Sequence, residues 1–319
     1  MNRRLPLPIL GLVTLMLTAA CTPERDQNDL FAPEYLDVMV VDATLIVGQP
    51  FPTVRLSRTL APNVPFTPDT AGETGASISI SSDDRTVVYV GLYERPGVYG
   101  PAGTERIVQP ETEYRLSVES ERGEILTAVT VTPANFNVDE WVLLNPEGTA
   151  ELRTLQTFAS AGDSVYYQPE NQFNYAEGLL EARFAPGGAV NFAANGYQLA
   201  LFSIDPDSDY VIDPPFFEDE DFEDLARMGS SPVLDAPEGD VRLPWFSIYY
   251  QGRYLYKVYA LDLNWYDLVR TRPQVDGGLG FGGNAGDSQG NPTFHVTGGI
   301  GLFGSASVDS VGFFILPPE

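Results

Sequence analysis

The chain has 319 residues, of which 43% are hydrophobic, and it carries 18 basic against 44 acidic side chains, a formal net charge of −26. The apolar fraction is large enough for a folded core, so the acidity does not indicate a disordered chain. The length predicts two domains. A surface this acidic repels nucleic acid and anionic lipid headgroups, and no basic cluster is present apart from Arg3 and Arg4, which argues against a nucleic-acid-binding protein.

The first twenty residues predict an export signal. Arg3 and Arg4 are followed by an apolar stretch over residues 5–20. This stretch is shorter than the roughly 20 apolar residues of a membrane-spanning helix, and Pro6 and Pro8 interrupt it. Residues 1–20 are therefore interpreted as a cleaved signal peptide.

Cys21 follows this segment and is the only cysteine of the chain. The small residues before it resemble the bacterial lipoprotein cleavage box, although Thr18 stands where that box more often has Leu. Cys21 is thus predicted to be the lipid-bearing residue, the alternative being a secretory signal with an unrelated cysteine. Residues 21–32 are interpreted as a tether, and Thr22 in place of Asp favours the outer membrane by analogy with well-studied lipoproteins.

Residues 33–133 predict a β-sandwich made of short strands. Residues 35–47 are rich in β-branched side chains, and residues 53–60 alternate between apolar and polar. Two hairpins are predicted in this region, one around Asp83-Asp84-Arg85 and one around residues 120–123, where Gly123 suits a positive φ. Six or more short strands in about a hundred residues are typical of an immunoglobulin- or fibronectin-like sandwich.

Tyr114 sharpens this interpretation. It lies in residues 108–118, which resemble the strand start of fibronectin-type and other immunoglobulin-like domains, where a corner tyrosine hydrogen-bonds back to the chain. Tyr114 is therefore predicted to be a structural corner residue rather than a ligand contact.

Residues 134–319 predict a second β-rich domain with few short helices. Strands are predicted over residues 179–184, 197–204 and 310–316, and a short helix over residues 264–271, before Pro273. Gln251-Gly252 predicts a hairpin between residues 241–250 and 253–263. Residues 205–240 hold 13 acidic side chains and one base, Arg227, which predicts an exposed acidic loop.

Several short segments together resemble the family called domain of unknown function 4249. They lie in chain order at residues 41–43, 54–57, 76–80, 96–99, 112–118 and 298–305. The resemblance implies a lipoprotein of Bacteroidetes-type bacteria, often encoded beside a TonB-dependent outer-membrane receptor. It implies fold and location and carries over no catalytic residue.

The sequence offers little for catalysis. His295 is the only histidine and no Gly-x-Ser-x-Gly motif accompanies it, so it is predicted to be structural. With Cys21 committed to lipid, thiol catalysis and Cys/His zinc sites are excluded. No phosphate-binding Gly-x-x-x-x-Gly-Lys motif occurs, and Lys257 is the only lysine. A carboxylate pair for glycoside hydrolysis remains open, because such pairs meet in space rather than in sequence.

Two further groups of residues are candidate sites. Asp205, Asp207, Asp209 and Asp213 offer closely spaced oxygens that would suit calcium, but the spacing fits an EF-hand loop poorly because Tyr210 stands where Gly is required. A solvated acidic loop is the alternative. Aromatic side chains crowd the region after residue 244, where Trp245, Tyr249, Trp265 and Tyr266 are candidate ligand contacts. Core and cross-strand packing is the other interpretation of these rings.

Three functions are consistent with the sequence. The first is a non-enzymatic binding or accessory lipoprotein of the outer membrane, associated with a TonB-dependent receptor. It would need no cofactor, or only calcium if the four aspartates bind it. The second is a structural envelope or surface-assembly protein. The third is a hydrolase that uses carboxylates.

Overall fold

The computed structural model describes residues 36–61, 64–103, 106–184, 195–211, 227–234, 240–243, 248–271 and 292–318. The fold is mainly β with few short helices, as the sequence predicts. Within these residues, no helix combines the length and the apolar character that crossing a membrane requires.

Seven strands and a short helix form the first half of the described chain. They are β1 Met39–Ile46, β2 Val54–Arg58, helix α1 Pro68–Ala71, β3 Ser77–Ser82, β4 Arg85–Gly91, β5 Val98–Pro101, β6 Glu113–Glu119 and β7 Ile125–Val131. The strands pair in the order β1-β2-β5-β4-β3-β6-β7. We call this half the first sandwich.

The core of the first sandwich comes from strands in which buried and exposed side chains alternate. Along β6 and β7 every second side chain is buried, as the two-residue period of a strand with one covered face requires. The buried positions of all seven strands converge on one core, which includes Leu45, Leu56, Ile80 and Leu116. Both predicted hairpins are confirmed, since β3 pairs with β4 and β6 pairs with β7. Gly123 has the expected positive φ of 78°.

The remaining elements are β8 Glu140–Leu144, β9 Glu151–Thr154, α2 Phe158–Ala161, two 3₁₀ helices at Gly162–Tyr167 and Pro169–Asn171, β10 Gln172–Phe173, β11 Leu179–Arg183, β12 Gly196–Ser203, β13 Met228–Ser230, β14 Asp240–Leu243, β15 Gly252–Leu261, α3 Leu263–Thr271, β16 Val296–Thr297 and β17 Ile300–Ile315. Apart from β16, which pairs with β7, these strands form a second sandwich with an aromatic core. One layer has the order β14-β11-β8-β9, and the other contains β13-β12-β15-β17. A single buried cluster with residues from both layers lies between them.

The long strand β17 belongs to both sandwiches. Its residues 300–306 pair in parallel with β1, and its residues 306–315 pair antiparallel with β15. Phe303 accordingly lies in the first core and Phe313 in the second. The boundary drawn at residue 133 stays a prediction, and the structure adds that the C-terminal strand completes the first sandwich.

Glycine lets the chain turn from β16 into β17. β16 pairs with β7, whereas β17 pairs with β1, so the chain crosses the first sandwich between them. Gly298 has a φ of 81°, and a Cβ atom there would lie 2.1 Å from the carbonyl oxygen of Ile125. Only glycine fits such a close approach with a positive φ.

A buried polar network joins the two sandwiches. The Asp262 carboxylate accepts hydrogen bonds from the Thr130 hydroxyl (2.5 Å) and from the backbone N–H of Trp265 (3.0 Å), which caps the start of α3. Asn264 donates to the carbonyl oxygens of Val129 (2.6 Å) and Phe303 (2.7 Å). β7, β17 and α3 are therefore held together by side-chain hydrogen bonds at one point.

Arg58 fixes the end of the first sandwich at which the described chain begins. Its guanidinium binds Asp37 (2.9 Å), Glu73 (2.6 Å) and Glu124. We call these four residues the Arg58 cluster. Arg58 is only 7% exposed, and its partners come from the segment before β1, the loop after α1 and the β6–β7 turn. Three separate segments are thereby held together at this end.

The predicted hairpin at Gln251-Gly252 is wrong. β14 pairs with β11 in one layer, while β15 pairs with β12 and β17 in the other. The glycine has a different role. Gly252 has a φ of 94°, and a Cβ atom there would lie 2.6 Å from a carboxylate oxygen of Asp205, so the residue permits a close approach of that side chain.

Candidate functional site

The first sandwich contains a cavity of about 460 Å³. We call it the end cavity and define it by the apolar residues Phe51, Ile80, Val87, Ile107 and Tyr114 and by the charged residues Asp84, Arg85 and Arg106. Ile80, Val87 and Tyr114 are each less than 5% exposed. The volume lies within the range of small-molecule sites, roughly 300–1,000 Å³.

Backbone pairing between two loops shapes this cavity. The N–H of Phe51 donates to the carbonyl of Arg106 (3.1 Å), and the N–H of Val108 donates to the carbonyl of Gln49 (2.9 Å). The loop after β1 and the loop before β6 are thus held side by side. Phe51 then packs edge-to-face on Tyr114, with 5.6 Å between the ring centroids.

Tyr114 confirms the corner predicted from the sequence. Its side chain is 3% exposed, and its hydroxyl oxygen accepts a hydrogen bond from the backbone N–H of Gln109 at 2.9 Å. The bond closes back five residues along the chain, as in the tyrosine corners of immunoglobulin-like sandwiches. Tyr114 also lines the end cavity, so the corner fixes one wall of this candidate site.

Two arginines lie at the end cavity. Arg106 donates from Nη1 to the carbonyl of Thr86 at 2.7 Å, which draws its side chain toward the start of β4. Arg85 pairs with Asp84, with 3.0 Å between Nε and the carboxylate oxygen. Because guanidinium groups are always charged and offer planar donor pairs, they suit carboxylate and other oxyanion ligands.

The end cavity was not predicted from the sequence. Its residues come from three separate segments, namely the loop after β1, the β3–β4 hairpin and the loop before β6. No spacing within one segment reveals such a site. The one usable signal was Tyr114, which marks the corner but carries no information about a ligand.

Asp205, the first of the candidate calcium ligands, binds an arginine. One carboxylate oxygen accepts from Arg253 Nε (2.8 Å) and Nη2 (2.6 Å), and the other accepts from the Arg253 backbone N–H (2.7 Å). These bonds hold the pKa of Asp205 below its usual value. Asp205 therefore anchors the start of β15 in the structure described.

The other three aspartates do not join Asp205 in a visible site. Asp207 and Asp209 are exposed, and Asp213 lies outside the described residues. Across the described part of the chain, no group of three or more His, Cys, Asp or Glu side chains is arranged to hold a metal ion. Calcium binding by this segment stays a prediction.

Arg227 links two described parts of the acidic segment, residues 205–240. It donates to the carbonyl of Asp205 (2.7 Å) and to the hydroxyl of Ser208 (3.0 Å). Its guanidinium also lies 3.8 Å from the ring centroid of Tyr250. The one base within residues 205–240 thus binds the start of that segment to its later part.

The candidate aromatic contacts do not form one platform. Tyr249 precedes β15, whereas Trp265 and Tyr266 lie on α3 beyond the end of that strand. Ten residues of extended strand span about 33 Å, so these rings lie at opposite ends of β15. Tyr249 packs against the second core, Trp265 contacts Tyr259, and Trp245 lies outside the described residues. Their role as ligand contacts stays a prediction.

His295 has an acidic partner that the sequence did not reveal. Its Nε2 lies 2.8 Å from a carboxylate oxygen of Asp267 on α3. The backbone N–H of Thr293 also donates to the hydroxyl of Thr271 at 2.8 Å. Both contacts attach residues 293–295 to the helix, which is a structural role of the kind predicted for the histidine.

Cys21, residues 1–20 and the tether lie outside the described residues, so lipidation stays a prediction. In a comparison with known proteins, a family model described as "Domain of unknown function (DUF4249)" matches residues 28–311. No curated protein and no solved structure matches the chain. Since the matched range covers nearly the whole chain and agrees with the segments that carry the resemblance, the chain belongs to the DUF4249 family.

Proposed function

We propose that this protein is a lipid-anchored, non-enzymatic binding protein of the outer membrane that works with a TonB-dependent receptor in nutrient uptake. The observation that carries the proposal is the placement of two features at opposite ends of the first sandwich. The described chain begins at the Arg58 cluster, and the end cavity lies at the opposite end of the same sandwich.

The distance between these two ends follows from strand geometry. β1 has eight residues and begins near Asp37, a member of the Arg58 cluster. Residues 49–51 follow its other end and adjoin the end cavity. Eight residues of antiparallel strand span about 27 Å. A protein attached through residues before Asp37 would thus hold the cavity well away from the attachment point.

Cys21 supports the anchoring part of the proposal. It follows an apolar segment too short to span a membrane, and no second cysteine is available for a disulfide. Each buried methylene of an acyl chain contributes on the order of 0.8 kcal/mol, so several chains on one cysteine would anchor the protein stably. The receptor partnership rests on the resemblance to lipoproteins encoded beside TonB-dependent receptors.

Membrane fractionation of the full chain tests the anchor. We expect the wild-type protein in the outer-membrane fraction and a Cys21→Ala variant in the soluble fraction, because removal of the thiol removes the site of acylation. Metabolic labelling with a fatty acid should mark only the wild type. Equal membrane recovery of both proteins, without label, would refute the lipid anchor.

Affinity purification tests the partnership. Tagged wild-type protein, solubilised from native membranes with mild detergent, should retain an outer-membrane receptor whose gene lies beside its own. Recovery of no such receptor, with wild-type anchoring intact, would contradict the receptor partnership and leave the anchor standing.

A further inference from the structure

We propose that the end cavity binds a small organic anion, such as a carboxylate with an apolar body. This inference rests on the proposed binding function and deepens it, because it assigns a ligand class and names the residues that recognise it. The argument uses the charge at the cavity, the donors that remain for a ligand, and the apolar surface beside them.

The local charge differs from that of the whole chain. Three charged side chains line the cavity among the described residues, and two of them are the arginines Arg85 and Arg106, the third being Asp84. The chain as a whole carries a formal charge of −26. Charges more than about 8 Å away are largely screened at physiological salt, so a ligand inside the cavity interacts mainly with these near groups.

Most N–H donors of the Arg106 guanidinium are unused within the described residues. The single hydrogen bond of its side chain within the described residues is the one from Nη1 to the carbonyl of Thr86. No ion pair between described residues includes Arg106. A guanidinium carries five N–H donors in a planar fork, so most of them remain for an incoming oxyanion. The bond to Thr86 fixes the side chain in advance and lowers the entropy cost of binding.

Arg85 can exchange its partner for a ligand. Its ion pair with Asp84 joins side chains that are 62% and 70% exposed. Exposed ion pairs of this kind contribute little free energy, about 0–1 kcal/mol. A ligand oxyanion that also loses water on entering the cavity would compete well for this guanidinium.

The apolar wall selects for a ligand with a hydrophobic part. Ile107 is 40% exposed and Phe51 is partly exposed, so these two lining side chains offer apolar surface to a ligand, whereas Ile80 and Val87 are buried. Burying apolar ligand surface here is favourable by roughly 25 cal/mol per Å². Inorganic phosphate or sulfate lacks that surface, so the cavity favours an organic anion over a simple one.

Two related fluorescent probes test the inference on purified soluble protein. 1-Anilinonaphthalene-8-sulfonate is an aromatic anion, and N-phenyl-1-naphthylamine is the same ring system without the sulfonate. We expect Arg106→Met to weaken binding of the anionic probe about tenfold or more, the size of a lost charge-assisted hydrogen bond. Binding of the neutral probe should change by less than about twofold, because its contacts are apolar.

Arg95→Met is the matched control. Arg95 is exposed in the β4–β5 turn, in the same sandwich, and does not line the cavity, so its loss changes the net charge equally. We expect wild-type affinity for both probes. Arg85→Met should weaken the anionic probe as Arg106→Met does, and all three variants should keep the wild-type thermal transition because the replaced side chains are exposed.

Two results would overturn the inference: equal affinity of wild type and Arg106→Met for the anionic probe, or equal weakening by Arg95→Met. Either result would leave the membrane fractionation of wild type and Cys21→Ala unaffected. Conversely, failure of the lipid anchor would leave the probe measurements valid, so the two proposals fail independently.

Discussion

The two sandwiches share one strand, and two tyrosines of the first, Tyr99 and Tyr114, contrast with the Tyr256–Trp141 pair of the second. In the first sandwich, Tyr99 donates its hydroxyl to the carbonyl of Glu73 (2.8 Å) and accepts from the N–H of Ala76 (3.0 Å), and Tyr114 accepts from Gln109. These tyrosines connect the core to loops. In the second sandwich, Tyr256 and Trp141 are fully buried against each other, 5.3 Å apart.

The polar atoms of that second pair are unpartnered. Tyr256 Oη and Trp141 Nε1 have no hydrogen-bond partner among the described residues. Desolvation of such atoms costs free energy that the apolar contacts of the rings must offset. Tyr99 and Tyr114 therefore hold loops in place in the first sandwich, whereas Tyr256 fills space in the core of the second. The difference can be tested by substitutions matched between the two.

The largest expected effects come from the shared strand. Phe303→Ala and Phe313→Ala each remove a ring that is at most 1% exposed, one from each core. Each should lower the free energy of unfolding by about 3–5 kcal/mol. Because β17 pairs with both β1 and β15, we expect one common transition in urea, shifted by either variant. Two transitions, each sensitive to one variant only, would show that the sandwiches unfold independently.

The next largest effect is expected at the Arg58 cluster. Arg58→Met leaves three carboxylates without their buried partner and should cost about 3 kcal/mol in urea unfolding. Arg115→Met is the control, because Arg115 is 63% exposed and pairs with an exposed Glu113, so its loss should cost less than about 0.5 kcal/mol. Similar costs for both variants would contradict the proposed importance of burial.

The same cluster makes the first sandwich sensitive to acid. Hydrogen bonds from Arg58 and then Arg122 hold the pKa of Asp37 below its usual value of 3.8. This contribution is fully present above pH 3.8 and is lost as the pH falls through the lowered folded-state pKa. The stability difference between wild type and Arg58→Met should accordingly shrink in acid, as measured by urea unfolding at a series of pH values.

Asp262, at the joint between the sandwiches, should show the opposite dependence. Burial raises its pKa, although hydrogen bonds from Thr130 and backbone groups oppose the shift. The folded state then binds the proton more tightly, so wild type loses stability as the pH rises from 3.8 through the raised pKa. Asp262→Asn lacks this loss, and we expect it to gain stability relative to wild type across that range, as measured by urea unfolding at a series of pH values.

A pH-independent difference between wild type and Asp262→Asn would mean that Asp262 does not titrate within that range. Thr130→Val serves as the companion variant. It removes the short hydrogen bond to Asp262 while leaving the carboxylate in place, so it should destabilise the protein and retain the pH dependence.

The smallest effect separates the two kinds of tyrosine directly. Tyr114→Phe removes the acceptor of the Gln109 N–H and should cost about 1 kcal/mol. Tyr256→Phe removes a hydroxyl that has no partner among the described residues and should be neutral or slightly stabilising. Equal costs for the two substitutions would show that the hydroxyl of Tyr256 is bound after all.

Sequence patterns predict the first sandwich better than the second because its strands pair with near neighbours in the chain. The turns at Asp83-Asp84 and Gly123 join strands that are hydrogen-bonded to each other. In the second sandwich, β11 and β12 are consecutive but lie in different layers, and so are β14 and β15. A turn signal describes only the local backbone and cannot tell which layer the next strand joins.

The candidate sites likewise depend on contacts between distant residues, which local sequence patterns do not predict. Tyr114 could be predicted because its partner lies five residues away. The side chains that bind the side chains of Asp205, Asp262 and Arg58 lie 15 to 132 residues away along the chain, beyond any local pattern. The close spacing of the aspartates indicated an ion site, whereas the tertiary fold supplies Arg253 as the counter-charge of Asp205.

The parallel pairing of β1 with β17 has a mechanical consequence. β1 begins at the end where the described chain starts, and β17 runs from there into the second sandwich. A pull between the N-terminus and the second sandwich acts along both strands in opposite directions. It loads all seven residue pairs, from Val40↔Ile300 to Ile46↔Ala306, in shear, so that they must rupture together rather than unzip one after another. For a protein held by its N-terminus, this strand pair is the element that bears tension.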